Sequence, residues 1–105
     1  MKFTVDEMLA RLPLPATEKW KDGVWDLEPF EKGSVRLVFF APRGVDYQTA
    51  HEKDEFYFIV RGSGELLIGD KRHRCASGDV FFVAAGVDHR FENFSDDLAT
   101  WAIFF

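Results

Sequence analysis

Two stretches of this chain are built alike, and together they restrict the fold more than anything else in it. In the first, His51 precedes a charged run, Glu52-Lys53-Asp54, and then Glu55-Phe56-Tyr57-Phe58-Ile59-Val60-Arg61-Gly62. In the second, Gly78-Asp79-Val80-Phe81-Phe82-Val83 leads through Ala84-Ala85-Gly86-Val87-Asp88 to His89-Arg90-Phe91-Glu92-Asn93. From Glu55 onward the reading is a strand: Glu55, Tyr57 and Ile59 face one way, and Phe56, Phe58 and Val60 the other. His89, Phe91 and Asn93 share a face on the same logic. Two imidazoles and a carboxylate, His51, Glu55 and His89, are a ligand set suited to Fe, Mn, Ni, Co or Zn. On one straight strand His51 and Glu55 would lie about 13 Å apart, at ~3.3 Å per residue. Two ligands of one ion must be far closer, so the chain must bend at Glu52-Lys53-Asp54, a composition that suits a turn.

The rest of the chain supplies more short strands. Val24 to Phe30 reads as a first strand, with Pro29 marking it as an edge. A turn at Glu31-Lys32-Gly33 precedes a strong strand from Ser34 to Ala41, with Val35, Leu37 and Phe39 on one face and Arg36, Val38 and Phe40 on the other. Further strands are expected at 65–68, 71–75, 79–83, 89–93 and 98–105, separated by Gly62-Ser63-Gly64, Gly69-Asp70, Ala76-Ser77-Gly78 and Ser95-Asp96-Asp97. Short strands joined by Gly-rich turns argue an antiparallel barrel or sandwich. Ahead of them, Thr4 is placed to cap a short helix, with Glu7 three residues on, and Pro13 ends it.

The two motifs resemble those of the cupins. Gly44, His51, Glu55 and Gly62 correspond to the first cupin motif, and Gly78, Gly86, His89 and Asn93 to the second. Two positions depart: Thr49 stands where the motif has its first His, and Ala84 where it has Pro. The resemblance implies an all-β chain, a small antiparallel cupin β-barrel (double-stranded β-helix, or jelly roll) over residues 24–105. Residues 1–23 would form a helical and irregular segment packed on the barrel. It also implies a divalent metal ion (Zn, Ni, Fe, Mn or Co) on His51, Glu55 and His89, and a small organic acid or sugar-like ligand in the cavity. Cupins include dioxygenases, isomerases, decarboxylases and lyases, and the fold does not choose among them. The alternative is a non-catalytic binding or sensor module, with or without metal. A metal-free epimerase-like cupin, with His51 or His89 as base and Tyr47 or Tyr57 as acid, is disfavoured by the carboxylate of Glu55.

Around this set, Tyr57 and Phe91 follow the ligands by two residues and are expected to line the cavity. Gln48 is a candidate amide donor. Thr49, two before His51, would leave from the same face on an extended segment, so Thr49→His would be expected to tighten metal binding. Arg36, a charge in an apolar strand, either greets an anionic group in the cavity or pairs at the surface. Asn93 is expected to fix an imidazole or a turn. His73, within Lys71-Arg72-His73-Arg74, belongs to a solvated strand face.

Composition bears on partners. The formal net charge of the 105 residues is −5 with no long basic run, which argues against nucleic acid. No apolar run approaches membrane-spanning length and no secretory leader is visible, so the cytoplasm is expected. A single cysteine, Cys75, permits no intrachain disulfide and reads as a small buried hydrophobe. The strands Glu55–Val60 and Trp101–Phe105 are apolar on both faces, so something must cover the outside. The N-terminal segment is one candidate and a second copy of the chain the other; a homodimer is expected.

Overall fold

The computed structural model describes residues 1–105. Thr4 caps α1 (Val5–Arg11), its hydroxyl accepting from the Glu7 N–H at 3.1 Å. The helix stops ahead of Pro13, which has no N–H to continue the ladder. Eight strands follow: β1 (Asp26–Lys32), β2 (Val35–Phe40), β3 (Glu55–Arg61), β4 (Ser63–Ile68), β5 (Lys71–Ala76), β6 (Val80–Val83), β7 (His89–Glu92) and β8 (Ala99–Phe104). They form a five-stranded sheet, β1-β2-β8-β3-β6, and a three-stranded sheet, β5-β4-β7, with every pairing antiparallel. This is the jelly-roll architecture expected from the motifs.

Strand ends shift by a residue or two from the sequence reading. β1 begins at Asp26 and runs through Glu31 and Lys32, so the turn narrows to Gly33 and Ser34. Pro29 sits where the β1–β2 register slips between Leu27 and Phe30, on an edge strand that tolerates a missing donor. Gly62 ends β3 at a φ of 77°, and a Cβ there would meet Leu98 backbone atoms at 2.8 Å, so the residue must be glycine on two independent grounds.

Alternation sorts the side chains into two cores. The interior takes Phe40, Tyr57, Ile59, Leu66, Phe91 and Phe104 among others, closed between the sheets. The outer face of the large sheet takes Phe39, Leu27, Ala41 and Ala99, and α1 lies over them with Met8 buried and Val5, Leu9 and Leu12 beside it. Cys75 is buried in the interior core, and burial pushes its thiol pKa up. No helix is long and apolar enough to cross a membrane.

Candidate metal centre

Two loop contacts bring the two motifs together, and a third ties the second motif to the β4–β5 turn. The Gly86 N–H donates to the His51 carbonyl at 2.8 Å, the Ala85 N–H to Asp54 Oδ1 at 2.8 Å, and the Gly69 N–H to the Asp88 carbonyl at 2.8 Å. The chain bends over Glu52 and Lys53 before β3 begins at Glu55. The bend that the ligand geometry requires is therefore present, and Asp54 holds the loop that delivers His89.

His51, Glu55 and His89 converge. One donor atom from each lies within 4.8 Å of the others. Glu55 Oε1 and His89 Nε2 stand 3.0 Å apart and both side chains are almost wholly buried. His51 is half-buried on an irregular segment, its ring 5.2 Å from that of His89 and edge-on to Phe104 at 4.8 Å. Donors of one ion with ~2.1 Å bonds are at most ~4.2 Å apart. The set is thus slightly open, and the only one of the three not on a strand is His51.

The donor chemistry fits a cation. The Nδ1 of His89 lies 2.9 Å from the Val87 carbonyl, which accepts its proton and leaves the Nε2 lone pair facing Glu55. Glu55 Oε1 and His89 Nε2 have no hydrogen-bond partner: they meet at 3.0 Å without hydrogen-bond alignment. Two buried acceptors face to face are costly unless positive charge lies between them. Burial alone would lower the His89 pKa, but Glu55 and the Val87 carbonyl outweigh it and the value is raised. Burial lowers that of His51 despite the Glu55 carboxylate, so its ring is held in the neutral form that ligates.

His51 and Glu55 open on a cavity of about 200 Å³, lined also by Gln48, Tyr57, Phe40, Val38, Trp20 and, at one side, Asp26, Glu28 and Arg36, while His89 borders a second cleft that shares Gln48 with it. Arg36 does reach the cavity, but it is engaged there: Nε and Nη2 donate to both oxygens of Glu28 at 2.6 and 2.8 Å. Tyr57 is buried, and burial, reinforced by the Glu55 and Asp46 carboxylates, raises its pKa well above the usual phenol range, so it stays protonated and donates to Gln48 Oε1 at 2.8 Å.

Three expectations need correction. Thr49 is exposed and does not line this cavity; it borders a second cleft with Gln48, Asp88, His89 and Arg90. Residues 45–51 form no strand, so two-residue spacing does not keep Thr49 on the side of His51. Phe91 packs edge-on against Tyr57 and beneath Phe40 in the core instead of lining the cavity. Asn93 lies past the end of β7 at a φ of 49°, exposed, its amide donating to Glu65 Oε1 at 2.6 Å; it fixes a turn and shares no face with His89.

Sequence reasoning missed Asp46, Asp26, Glu28 and Trp20. Asp46 is buried and accepts from the Gln48 N–H, the Gln48 amide and the Phe91 N–H. Its spacing of two from Gln48 is an Asx-turn signal that was there to be found. Asp26 and Glu28 share a face of β1, the strand beside Arg36, also a period-two signal. Trp20 lies in an irregular segment where no period exists.

The family model for the cupin domain (Cupin_2) matches residues 36–105, two-thirds of the chain and both motifs. The chain belongs to the cupin family. This cupin is 39% identical over 71 residues to the uncharacterized protein SCO3923 of Streptomyces coelicolor, covering 68% of each. Among solved structures it resembles a cupin-2 domain containing protein from Shewanella frigidimarina, with a TM-score of 0.70, 13% identity, and 96% of this chain and 91% of that one covered. It also resembles KdgF from a Halomonas species, with a TM-score of 0.66, 20% identity, and 75% and 76% covered. At those identities the structural likeness speaks for the fold alone.

Proposed function

We propose that this cupin holds one divalent metal ion on His51, Glu55 and His89 and binds a small, sugar-like ligand through oxygen atoms in the cavity beside it. The observation that carries the reading is the buried, unpartnered pair Glu55 Oε1 and His89 Nε2, with a second imidazole nearby. A bound ion would act as a Lewis acid on a ligand oxygen, or as a redox centre if it is Fe or Mn. The cavity of about 200 Å³ is below the ~300–1,000 Å³ of sites for drug-sized molecules, which suits a ligand of few heavy atoms. Its lining favours the sugar-like class over an organic acid. The one cation, Arg36, is already paired with Glu28, and Asp26 stands as a further acidic group beside it.

A specific observation favours a second reading, a ligand-binding barrel without metal: a proton on His89, whose pKa is raised, would also satisfy Glu55. One experiment separates the two. Protein purified without a histidine tag is analysed for metal and screened by thermal shift against sugars, polyols and small carboxylates. About one ion per chain, with neutral hydroxylated compounds stabilising more than carboxylates, is the expected result. Ligand stabilisation in metal-free protein that takes up no added ion would support the second reading and overturn the first.

The homodimer also stands as a proposal. Val80, Phe82 and Phe105 are exposed, and Phe56 and Phe105 stack at 5.5 Å, forming an aromatic patch. The patch adjoins β6, an edge of the large sheet with one side of its ladder free. A stable pair would be expected to bury more than about 1,000 Å².

A further inference from the structure

The motif leaves one ligand position open, because Thr49 is an exposed neutral hydroxyl outside the cavity that His51 and Glu55 line. We propose that Gln48 fills it: its Oε1 is a fourth donor to the ion, and Asp46 is the positioning residue that aims it. This rests on the metal reading above.

Three contacts carry the assignment. Gln48 Oε1 lies 3.4 Å from His51 Nε2. That is longer than the ~2.7–3.2 Å of an ordinary N–H···O bond, and it equals the ~3.4 Å separating two donors on a tetrahedral ion with ~2.1 Å bonds. The amide's orientation is fixed. Its Nε2 donates to Asp46 Oδ2, and the Tyr57 hydroxyl donates to Oε1 at 2.8 Å. Reversed, the amide would set oxygen against carboxylate on one side and N–H against a hydroxyl proton on the other. The carbonyl has two lone pairs, so one accepts from Tyr57 and the other is free for the ion.

Asp46 is itself fixed. It is 5% exposed and takes backbone N–H donors from Gln48 and, across 45 residues, from Phe91 on β7, each at 2.9 Å. The carboxylate therefore ties the Gln48 segment to the strand that begins with His89. The set becomes two imidazoles, a carboxylate and an amide oxygen, weaker in donor strength than one with a third imidazole but complete in number.

The test is cobalt(II) titration of metal-free protein, read by affinity and by the visible absorption of the bound ion. Gln48→Met keeps length and shape but presents a thioether, a poor donor to a divalent ion of this hardness. Asp46→Asn keeps shape but removes the acceptor that sets the amide's direction. Wild-type protein is expected to give the intense band of a four-coordinate site. Both variants should bind about 10–100-fold more weakly with an altered band, while far-UV circular dichroism of the metal-free forms stays unchanged. If wild type binds cobalt and Gln48→Met matches it in affinity and spectrum, Gln48 is no ligand and the inference is overturned. Should Gln48→Met fail to fold, Asp46→Asn decides in the same way. If wild type takes up no cobalt, the metal reading itself is overturned.

Discussion

β3 (Glu55–Arg61) presents two faces that invert the usual arrangement of a water-soluble strand. Inward, Glu55 and Tyr57 set a carboxylate and a phenol into a buried wall, followed by Ile59. Outward, Phe56, Phe58 and Val60 are apolar and only half-buried. Polar atoms inside cost free energy unless they are satisfied, and apolar atoms outside cost free energy unless they are covered. On the inner face Gln48 satisfies the Tyr57 hydroxyl, and, on our reading, an ion satisfies Glu55 and His89. The outer face is itself divided. Val60 and Trp101 lie under α1, whereas Phe56, Phe82 and Phe105 have no cover within the chain. These exceptions to ordinary patterning are what motivate the proposed ion and ligand inside and the proposed second copy outside.

The covered part of the outer face gives the largest expected effect. Met8 is 3% exposed beneath α1, so Met8→Ala should leave a cavity against Phe39 and cost about 2–5 kcal/mol in urea denaturation. A loss below 1 kcal/mol would mean that the helix does not seal the sheet. The uncovered part should respond through association instead. Phe82→Asp is expected to weaken a dimer at least tenfold, about 1.4 kcal/mol, in sedimentation equilibrium. A wild type that stays monomeric at high concentration would remove the second copy as the cover.

On the inner face, Tyr57→Phe deletes the hydroxyl that donates to Gln48 and should cost about 0.5–1.5 kcal/mol, with no change in association state. The smallest effect concerns Asp26 at the cavity wall. Burial raises its carboxyl above the usual range, against the pull of Arg36. The folded chain therefore holds this proton more tightly than the unfolded chain, whose value is ~3.9. Stability falls as pH rises from there through the raised folded value, and the deficit is full at neutral pH. Asp26→Asn should accordingly stabilise at pH 7 and lose that advantage at acid pH. A thermal-melt difference that grew toward acid pH would contradict the sign.

Strands with a clear period were legible in the sequence. The two-faced reading of β2 and β3 holds in the structure, and Thr4 caps α1 as its spacing with Glu7 predicts. Residues 45–51 were not legible, because they follow neither period. Extended-chain logic put Thr49 on the side of His51, whereas an Asx turn at Asp46 brings Gln48 there. Asn93 misled for a related reason: counting by twos from His89 runs off the end of a four-residue strand into a turn with positive φ. The convergence of His51 with His89 depended on loop contacts such as Gly86 to His51, which no local pattern records.

The central claim is that His51, Glu55 and His89 share one ion. Crystals of the protein grown with zinc, and measured on both sides of its absorption edge, test this most directly. The account predicts a single anomalous peak inside the barrel, ~2.0–2.2 Å from a nitrogen of His51, an oxygen of Glu55 and Nε2 of His89. Zinc bound only elsewhere, with Glu55 and His89 still in direct contact at 3.0 Å, would contradict it.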